Sequence, residues 1–139
     1  MAKTKLKANI VGNMGWKMEI NGHQFITDAD VESGGNDLGP RPKAMLLAGL
    51  IGCTGVDVKM ILDKMKVSPD DIHIEVEAEA SETDPKIYTD IHLTYIFKGK
   101  DLPLDKLERA VNLSLEKYCG VAAMLEKSAN ITHAIIVES

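Results

Sequence analysis

Residues 39–58 read GPRPKAMLLAGLIGCTGVDV. The prolines end a loop, and the apolar run behind them predicts one long helix from about Lys43 to Lys66. The first half of this helix is apolar on almost every face, which predicts a buried central helix. Each of its glycines costs roughly 1 kcal/mol relative to alanine, so we expect a close backbone neighbour there, such as a partner subunit. The predicted core stripe is Leu47, Ile51, Thr54, Val58, Ile61 and Met65.

The chain before this helix predicts strands and a loop. Apolar and polar residues alternate over residues 5–10, which is typical of a strand. Asn21-Gly22 predicts a tight hairpin between two further strands, because a type I′ turn needs two positive φ angles. Residues 28–42 are punctuated by glycine and proline and predict a long loop.

The chain after the helix predicts two strands, two helices and a last strand. Residues 72–81 and 87–98 each alternate between a dry and a wet face, as in an antiparallel sheet. A second helix opens near Pro103 and breaks at Cys119-Gly120. The order predicts an α+β fold with antiparallel sheets around the central helix. The buried stripe predicted for the second helix is Leu104, Leu107, Val111, Leu115 and Tyr118.

Composition narrows the class of protein. The length of 139 residues predicts a single domain over residues 1–139. A net charge of −5, the absence of a basic cluster and only six aromatic residues argue against nucleic-acid binding. The N-terminus has no secretory signal, and the apolar run Ala44–Cys53 is too short to span a bilayer. We therefore expect a cytoplasmic protein without membrane contact, whose two cysteines rest as free thiols.

No metal site or cofactor motif is predicted from spacing. The four histidines are scattered over predicted strands, and no CxxC, HxxxH, GxGxxG, P-loop or GxSxG sequence occurs. Cys53 lies inside the apolar helix and Cys119 lies at a helix end. Two interpretations of them are about equally favoured by spacing: buried small hydrophobic residues, or redox-active thiols. Asp57, four residues after Cys53, would oppose a thiolate, whereas Arg41 and Lys43 would stabilise one.

Two segments resemble the signatures of the OsmC/Ohr family. One is residues 39–58, where a proline opens the helix and a cysteine follows eleven positions later, as Cys53 follows Pro42. The other is AVNLSLEKYCGVAAML, residues 110–125, which carries Cys119. The resemblance covers nearly the whole chain and implies an OsmC-like fold that forms an intertwined homodimer.

The resemblance also implies a function. Family members reduce organic hydroperoxides, so Cys53 would be the peroxidatic and Cys119 the resolving cysteine, with a thiol as reductant and no cofactor. The neighbourhood of Leu46, Leu47, Leu50 and Met124 is expected to form the apolar pocket for the peroxide. The peroxidase branches of the family have a glutamate after the helix-opening proline and a partner arginine near the N-terminus. This sequence has Lys43 at that position and no arginine in residues 1–40.

Two alternatives to a peroxidase follow from that departure. The first is a non-enzymatic protein that binds a small apolar or thiol-containing ligand in the same pocket. The second is a redox sensor or sulfur carrier, in which Cys53 holds a sulfenate or a persulfide.

Overall fold

The computed structural model describes residues 2–139, which form six strands and three α-helices. Two compact units divide the chain, one ending at Ala48 and the other covering Gly49–Ser139. The prediction of one domain over residues 1–139 stays a prediction. The elements are β1 (Lys7–Val11), β2 (Gly15–Ile20), β3 (His23–Thr27), α1 (Ala44–Lys64), β4 (Asp71–Ala80), β5 (Tyr88–Lys98), α2 (Leu104–Leu113), a π-helical turn (Ser114–Tyr118), α3 (Gly120–Leu125) and β6 (Asn130–Glu138).

The first unit contains an antiparallel sheet of β1, β2 and β3 in chain order. The hairpin predicted at Asn21-Gly22 is confirmed, with Ile20 opposite His23. Asn21 has a φ of 52° and Gly22 a φ of 80°. These are the left-handed angles that a two-residue type I′ turn demands.

A buried carboxylate organises the loop after β3. Asp28 is 1% exposed, and its oxygens accept hydrogen bonds from the backbone N–H groups of Ala29, Asn36 and Leu38 at 2.7, 3.0 and 3.2 Å. Burial raises the pKa of Asp28, but these hydrogen bonds and the charge of Arg41 outweigh it, and the net pKa lies below the ordinary value. The ionised carboxylate therefore holds the 28–42 loop together.

We expect Asp28→Asn to destabilise the protein at neutral pH. An amide offers one carbonyl oxygen, so backbone N–H groups inside the loop lose their acceptor. Because the folded pKa is depressed, the contribution of the carboxylate is present above the unfolded pKa and lost as pH falls through the folded pKa. Melting temperatures of wild type and variant should differ at pH 7 and converge only as the pH falls below 3.8, the ordinary pKa of the carboxyl group. A difference that stays constant over this range would contradict the assignment.

The second unit is built on β5, the central strand of the β4-β5-β6 sheet. The alternation predicted for β5 is confirmed, because Ile91, Leu93, Tyr95 and Phe97 are each at most 1% exposed. The antiparallel pairing of β4 with β5 is confirmed as well. These four side chains form the core on which the helices pack.

The pairing of β6 differs from the antiparallel arrangement predicted. It runs parallel to β5, with Ile91 opposite Ile131 and Phe97 opposite Val137. A parallel pair requires a long crossover. The helical segment between β5 and β6 provides it by returning the chain to the end of the sheet where β5 began. The predicted α+β class is confirmed.

Helix α1 is buried on one face only, so the prediction of a helix buried all round is wrong for the single chain. Its fully buried residues are Leu50, Thr54, Val58 and Leu62, a stripe that only partly matches the predicted one. Val56 is 60% and Met60 54% exposed. Within the second unit, a Cβ added at Gly49 or Gly52 would meet no atom within 4 Å. At Gly55 the Cδ1 of Ile74 would lie 3.6 Å away, so this unit supplies a neighbour for Gly55 but none for Gly49 or Gly52.

Among residues 2–139, α1 is the one helix long and apolar enough to cross a membrane, with 21 residues, a mean hydropathy of 1.7 and 22% of the window buried. The apolar run Ala44–Cys53 understated the length of this helix, which continues to Lys64. A helix that packs one face on a sheet passes the same test of length and composition. Asp57 and Lys59 in its second half fit that interpretation, since charges are costly inside lipid.

Candidate functional site

Two cysteines and one carboxylate meet in the second unit. Cys53 lies in the middle of α1, and Asp57 lies one turn further along the same face. Cys119 follows the π-helical turn and is the N-cap residue of α3. The Sγ atoms of Cys53 and Cys119 and a carboxylate oxygen of Asp57 all lie within 4.8 Å of one another. The structure thus brings both predicted site cysteines together as free thiols.

The π-helical turn places Cys119 at this meeting point. Its backbone N–H donates to the carbonyl of Ser114, five residues earlier, at 2.7 Å. The wide turn rotates the following residues relative to a continued α-helix. At this end the predicted core stripe of the second helix therefore fails, since Tyr118 is 54% exposed while Ser114 is buried. Leu104, the first residue of α2, is 50% exposed as well.

The two thiols have different environments. Cys119 is 3% exposed, whereas Cys53 is partly accessible. Burial and the neighbouring Cys53 together raise the pKa of Cys119 to about 11, although the hydrogen bond from the N–H of Ala122 lowers it. That hydrogen bond reaches the Sγ of Cys119 at 3.3 Å. Cys119 is thus a protonated, shielded thiol next to a more accessible one.

A chain of buried hydroxyl groups ends at Asp57. The Ser114 hydroxyl donates to Oδ2 of Asp57 at 3.0 Å. The Oγ1 of Thr54 lies 2.7 Å from the Ser114 oxygen and 2.8 Å from the Tyr95 hydroxyl oxygen. A hydroxyl has one proton, so Thr54 donates to Ser114 and Tyr95 donates to Thr54. Burial raises the pKa of Tyr95 to about 12, which keeps that donor protonated.

A cavity of about 400 Å³ adjoins Asp57. Its wall is largely apolar and comes from the second half of α1, from α2 and from the π-helical turn. Two cations, Lys64 and Arg109, belong to the lining. The remaining lining residues are Met60, Ile61, Met65, Leu113 and Tyr118.

The residues that were expected to form the substrate pocket do not line this cavity. Leu50 is fully buried, Leu46 is 51% and Met124 65% exposed, and none of them lines the 400 Å³ cavity. The apolar stretch before Cys53 suggested a pocket on that side. The 400 Å³ cavity lies instead beside the part of α1 that follows Cys53, from Asp57 to Lys64.

The predicted thiolate-stabilising cations belong to the first unit. Arg41 pairs with Asp37 at 2.8 Å and donates to the carbonyl oxygens of Gly39 and Asp28 at 3.0 and 3.3 Å. Its guanidinium is therefore engaged within the loop. Lys43 is exposed immediately before α1. Stabilisation of a thiolate by either residue stays a prediction.

Sequence reasoning missed most of the polar surroundings of the cysteines. For Thr54 the available signal was a hydroxyl on the core stripe predicted for the first helix, whereas Ser114 was not on the stripe predicted for the second helix. Tyr95 and Arg109 gave no signal, because only the fold brings β5 and α2 towards α1. The i+4 spacing of Asp57 correctly indicated its position beside Cys53.

Comparison with known proteins identifies the family of this chain. The sequence model of the family described as OsmC-like protein matches residues 34–134. Protein YhfA of Escherichia coli strain K12 is 40% identical over 114 residues, which cover 82% of both chains. A crystal structure of a hypothetical protein from Aquifex aeolicus VF5 matches with a TM-score of 0.85 and 30% identity over 100% of both chains.

The fold is also similar to that of a solved protein whose description includes a role. It is an organic hydroperoxide resistance protein OsmC, predicted redox protein, from Legionella pneumophila, with a TM-score of 0.72, 17% identity and 98% coverage of both chains. At that identity the match concerns the fold alone. The family match covers most of the chain and includes both cysteine segments. The chain belongs to the OsmC-like protein family.

Proposed function

We propose that the protein is a thiol-dependent reductase of small organic hydroperoxides, with Cys53 as the peroxidatic and Cys119 as the resolving cysteine. The observation that carries this proposal is the pair of free thiols of unequal exposure within 4.8 Å of each other. The first attack requires access to the peroxide, and Cys53 is the more accessible sulfur. Resolution requires a second thiol within reach, and Cys119 is shielded but adjacent.

The reaction has two steps inside the protein. The Cys53 thiolate attacks the terminal oxygen of the hydroperoxide and breaks the O–O bond, which leaves a sulfenic acid on Cys53 and an alcohol after protonation of the alkoxide. Cys119 then attacks the Cys53 sulfur, an S–S bond forms, and the hydroxyl leaves as water with the Cys119 proton. An external thiol reduces the disulfide and restores both cysteines.

The cavity, which is lined by Asp57 one helical turn from Cys53 and by neither cysteine, favours an organic substrate over hydrogen peroxide. A volume of about 400 Å³ is at the lower end of ordinary ligand pockets, and its methionine, isoleucine and leucine lining suits an alkyl or aryl group. Lys64 and Arg109 add positive charge to the same lining, which offsets the negative charge of Asp57 next to the reacting sulfur.

The proposed assembly is a homodimer in the cytoplasm, built on the exposed face of α1. That face carries Gly49, Gly52, Val56 and Met60, which combine small residues with exposed apolar side chains. Small residues permit close approach of two helices, and an apolar stripe gains free energy when a partner covers it. A second copy of the chain provides a complementary face by symmetry.

The test is thiol-dependent consumption of cumene hydroperoxide and hydrogen peroxide by the wild type, Cys53→Ser and Cys119→Ser. We expect the wild type to turn over the organic peroxide at least 10-fold faster than hydrogen peroxide, since only the former fills the cavity. Cys53→Ser should fall to the rate of the reductant alone. Cys119→Ser should consume one equivalent of peroxide and accumulate a sulfenic acid on Cys53, which a dimedone adduct reveals by mass.

A wild type no faster than the free reductant, with both thiols intact after peroxide, would exclude the peroxidase. The departure at Lys43 would then favour the second candidate, a protein that binds a small apolar ligand in the same cavity without reaction. A thermal-shift screen with cumyl alcohol and short fatty acids distinguishes this candidate, because a bound ligand raises the melting temperature.

A further inference from the structure

We propose that the reduced protein binds one thiophilic divalent cation, such as Zn²⁺, through Cys53, Asp57 and Cys119. This inference goes beyond peroxide reduction, because it requires neither peroxide nor disulfide formation. The spacing of the cysteines along the chain did not indicate a metal site. The fold creates the cluster by bringing Cys119 to the face of α1 that carries the other two residues.

The donor set suits this class of metal. Two sulfurs and one carboxylate oxygen are ligands that Zn²⁺ accepts in tetrahedral sites, with Zn–S bonds of about 2.3 Å and Zn–O bonds of about 2.1 Å. Two sulfurs bound at tetrahedral angles lie roughly 3.8 Å apart. The three donor atoms lie within 4.8 Å of one another. Side-chain rotations that shorten the distances between these donor atoms by about 1 Å therefore allow all three to bind one ion.

The ligands are already oriented by neighbouring groups. The Ser114 hydroxyl donates to one carboxylate oxygen of Asp57 at 3.0 Å. The N–H of Ala122 points at the Sγ of Cys119 at 3.3 Å. Hydrogen bonds of this kind fix the direction of metal ligands and contribute to affinity. The Tyr95–Thr54–Ser114 hydroxyl chain extends this support into the core.

A fourth coordination position and an entry path are available. Three protein ligands leave one tetrahedral position for water or a small ligand, which is the pattern of sites with an exchangeable position. The 400 Å³ cavity touches Asp57, so an ion from solvent has a route to the cluster. A site with these properties takes up and releases its ion without unfolding.

Binding and oxidation compete for the same sulfurs. Two thiols and one Zn²⁺ give a dithiolate complex and release two protons, with no change in oxidation state. A disulfide has no thiolate to offer, so only the reduced protein binds. The bound ion in turn occupies the lone pairs with which Cys53 would attack a peroxide.

Titration of the reduced, metal-free wild type with Cd²⁺ in the absence of peroxide tests the inference directly. We expect the ultraviolet thiolate-to-cadmium absorption to saturate at one ion per chain and to be displaced by Zn²⁺. Cys53→Ser and Cys119→Ser should each weaken binding at least 100-fold. Asp57→Asn and Ser114→Ala should weaken it by roughly 10- to 100-fold while folding is retained, as for ligand and outer-shell losses elsewhere. His92→Ala, a change on the exposed face of β5, is the matched control and should leave affinity unchanged.

Three outcomes would overturn the inference: no thiolate absorption with either ion, a stoichiometry that persists in the double variant Cys53→Ser/Cys119→Ser, or equal affinity after oxidation to the disulfide. The metal site and the peroxidase activity fail independently. A wild type that consumes cumene hydroperoxide but shows no absorption refutes only the metal site. One that binds Cd²⁺ at a single site but consumes no peroxide refutes only the peroxidase.

Discussion

Gly52→Leu is expected to turn the proposed homodimer into monomers and to leave each monomer at least as stable as the wild type. In the second unit a Cβ at Gly52 meets no atom within 4 Å, so the substitution creates no clash there. Leucine also favours the helix over glycine by about 1 kcal/mol. In a twofold interface built on α1 the added side chain clashes once on each subunit, and each clash destabilises the dimer by about 1–3 kcal/mol. The dimer dissociation constant should rise by roughly 30-fold or more.

Sedimentation equilibrium over a range of protein concentrations measures this effect, and circular dichroism checks the fold. Gly52→Ala is the matched control, because it adds the helix preference with only one methyl group. A variant that dimerises as tightly as the wild type would show that α1 does not form the interface. A wild type that is monomeric at all concentrations would remove the homodimer proposal itself.

Thr54→Val is expected to lower the free energy of unfolding by about 2–4 kcal/mol although the two side chains have nearly the same shape. Thr54 is fully buried and connects Tyr95 to Ser114 through hydrogen bonds of 2.8 and 2.7 Å. The variant leaves the Tyr95 hydroxyl without an acceptor and Ser114 without a donor, and each buried group left unpaired costs about 1–3 kcal/mol. Among the described residues no buried side-chain nitrogen or oxygen lacks a partner, so the loss is not masked by an existing defect.

Chemical denaturation of the single variants and of Thr54→Val/Tyr95→Phe completes a double-mutant cycle at fixed protein concentration. Tyr95→Phe should cost clearly less in the Thr54→Val background than in the wild type, because the unpaired hydroxyl is removed. Additivity within about 0.5 kcal/mol would mean that the two hydroxyls do not interact. The same variants, assayed for Cd²⁺ affinity, report whether the hydroxyl chain holds Asp57 in place.

The sequence was sufficient where structure depends on neighbours along the chain. The hairpin could be predicted because asparagine and glycine tolerate the positive φ angles that Asn21 and Gly22 adopt. The core face of β5 follows from alternation, and the break at Cys119-Gly120 follows from the end of the apolar period. The eleven-residue interval from Pro42 to Cys53 indicated the family, which the comparisons confirm.

The sequence was insufficient where distant segments meet. The parallel pairing of β6 depends on the path of the crossover, and alternation does not encode strand direction. Apolar composition predicted burial of α1, but it does not distinguish a core from a face that awaits a partner. The cluster of Cys53, Asp57 and Cys119 needed the π-helical turn, which has no simple periodicity to recognise.

The position of the Cys119 sulfur depends on the number of residues in the π-helical turn that precedes it. Successive residues of an α-helix are rotated by about 100°, and the turn before Cys119 holds one residue more than an α-helical turn does. Deletion of one residue between Ser114 and Tyr118 would let α2 continue in regular register and carry the Cys119 sulfur about 100° around the helix axis. An insertion or deletion at this point would separate the thiols without changing either cysteine.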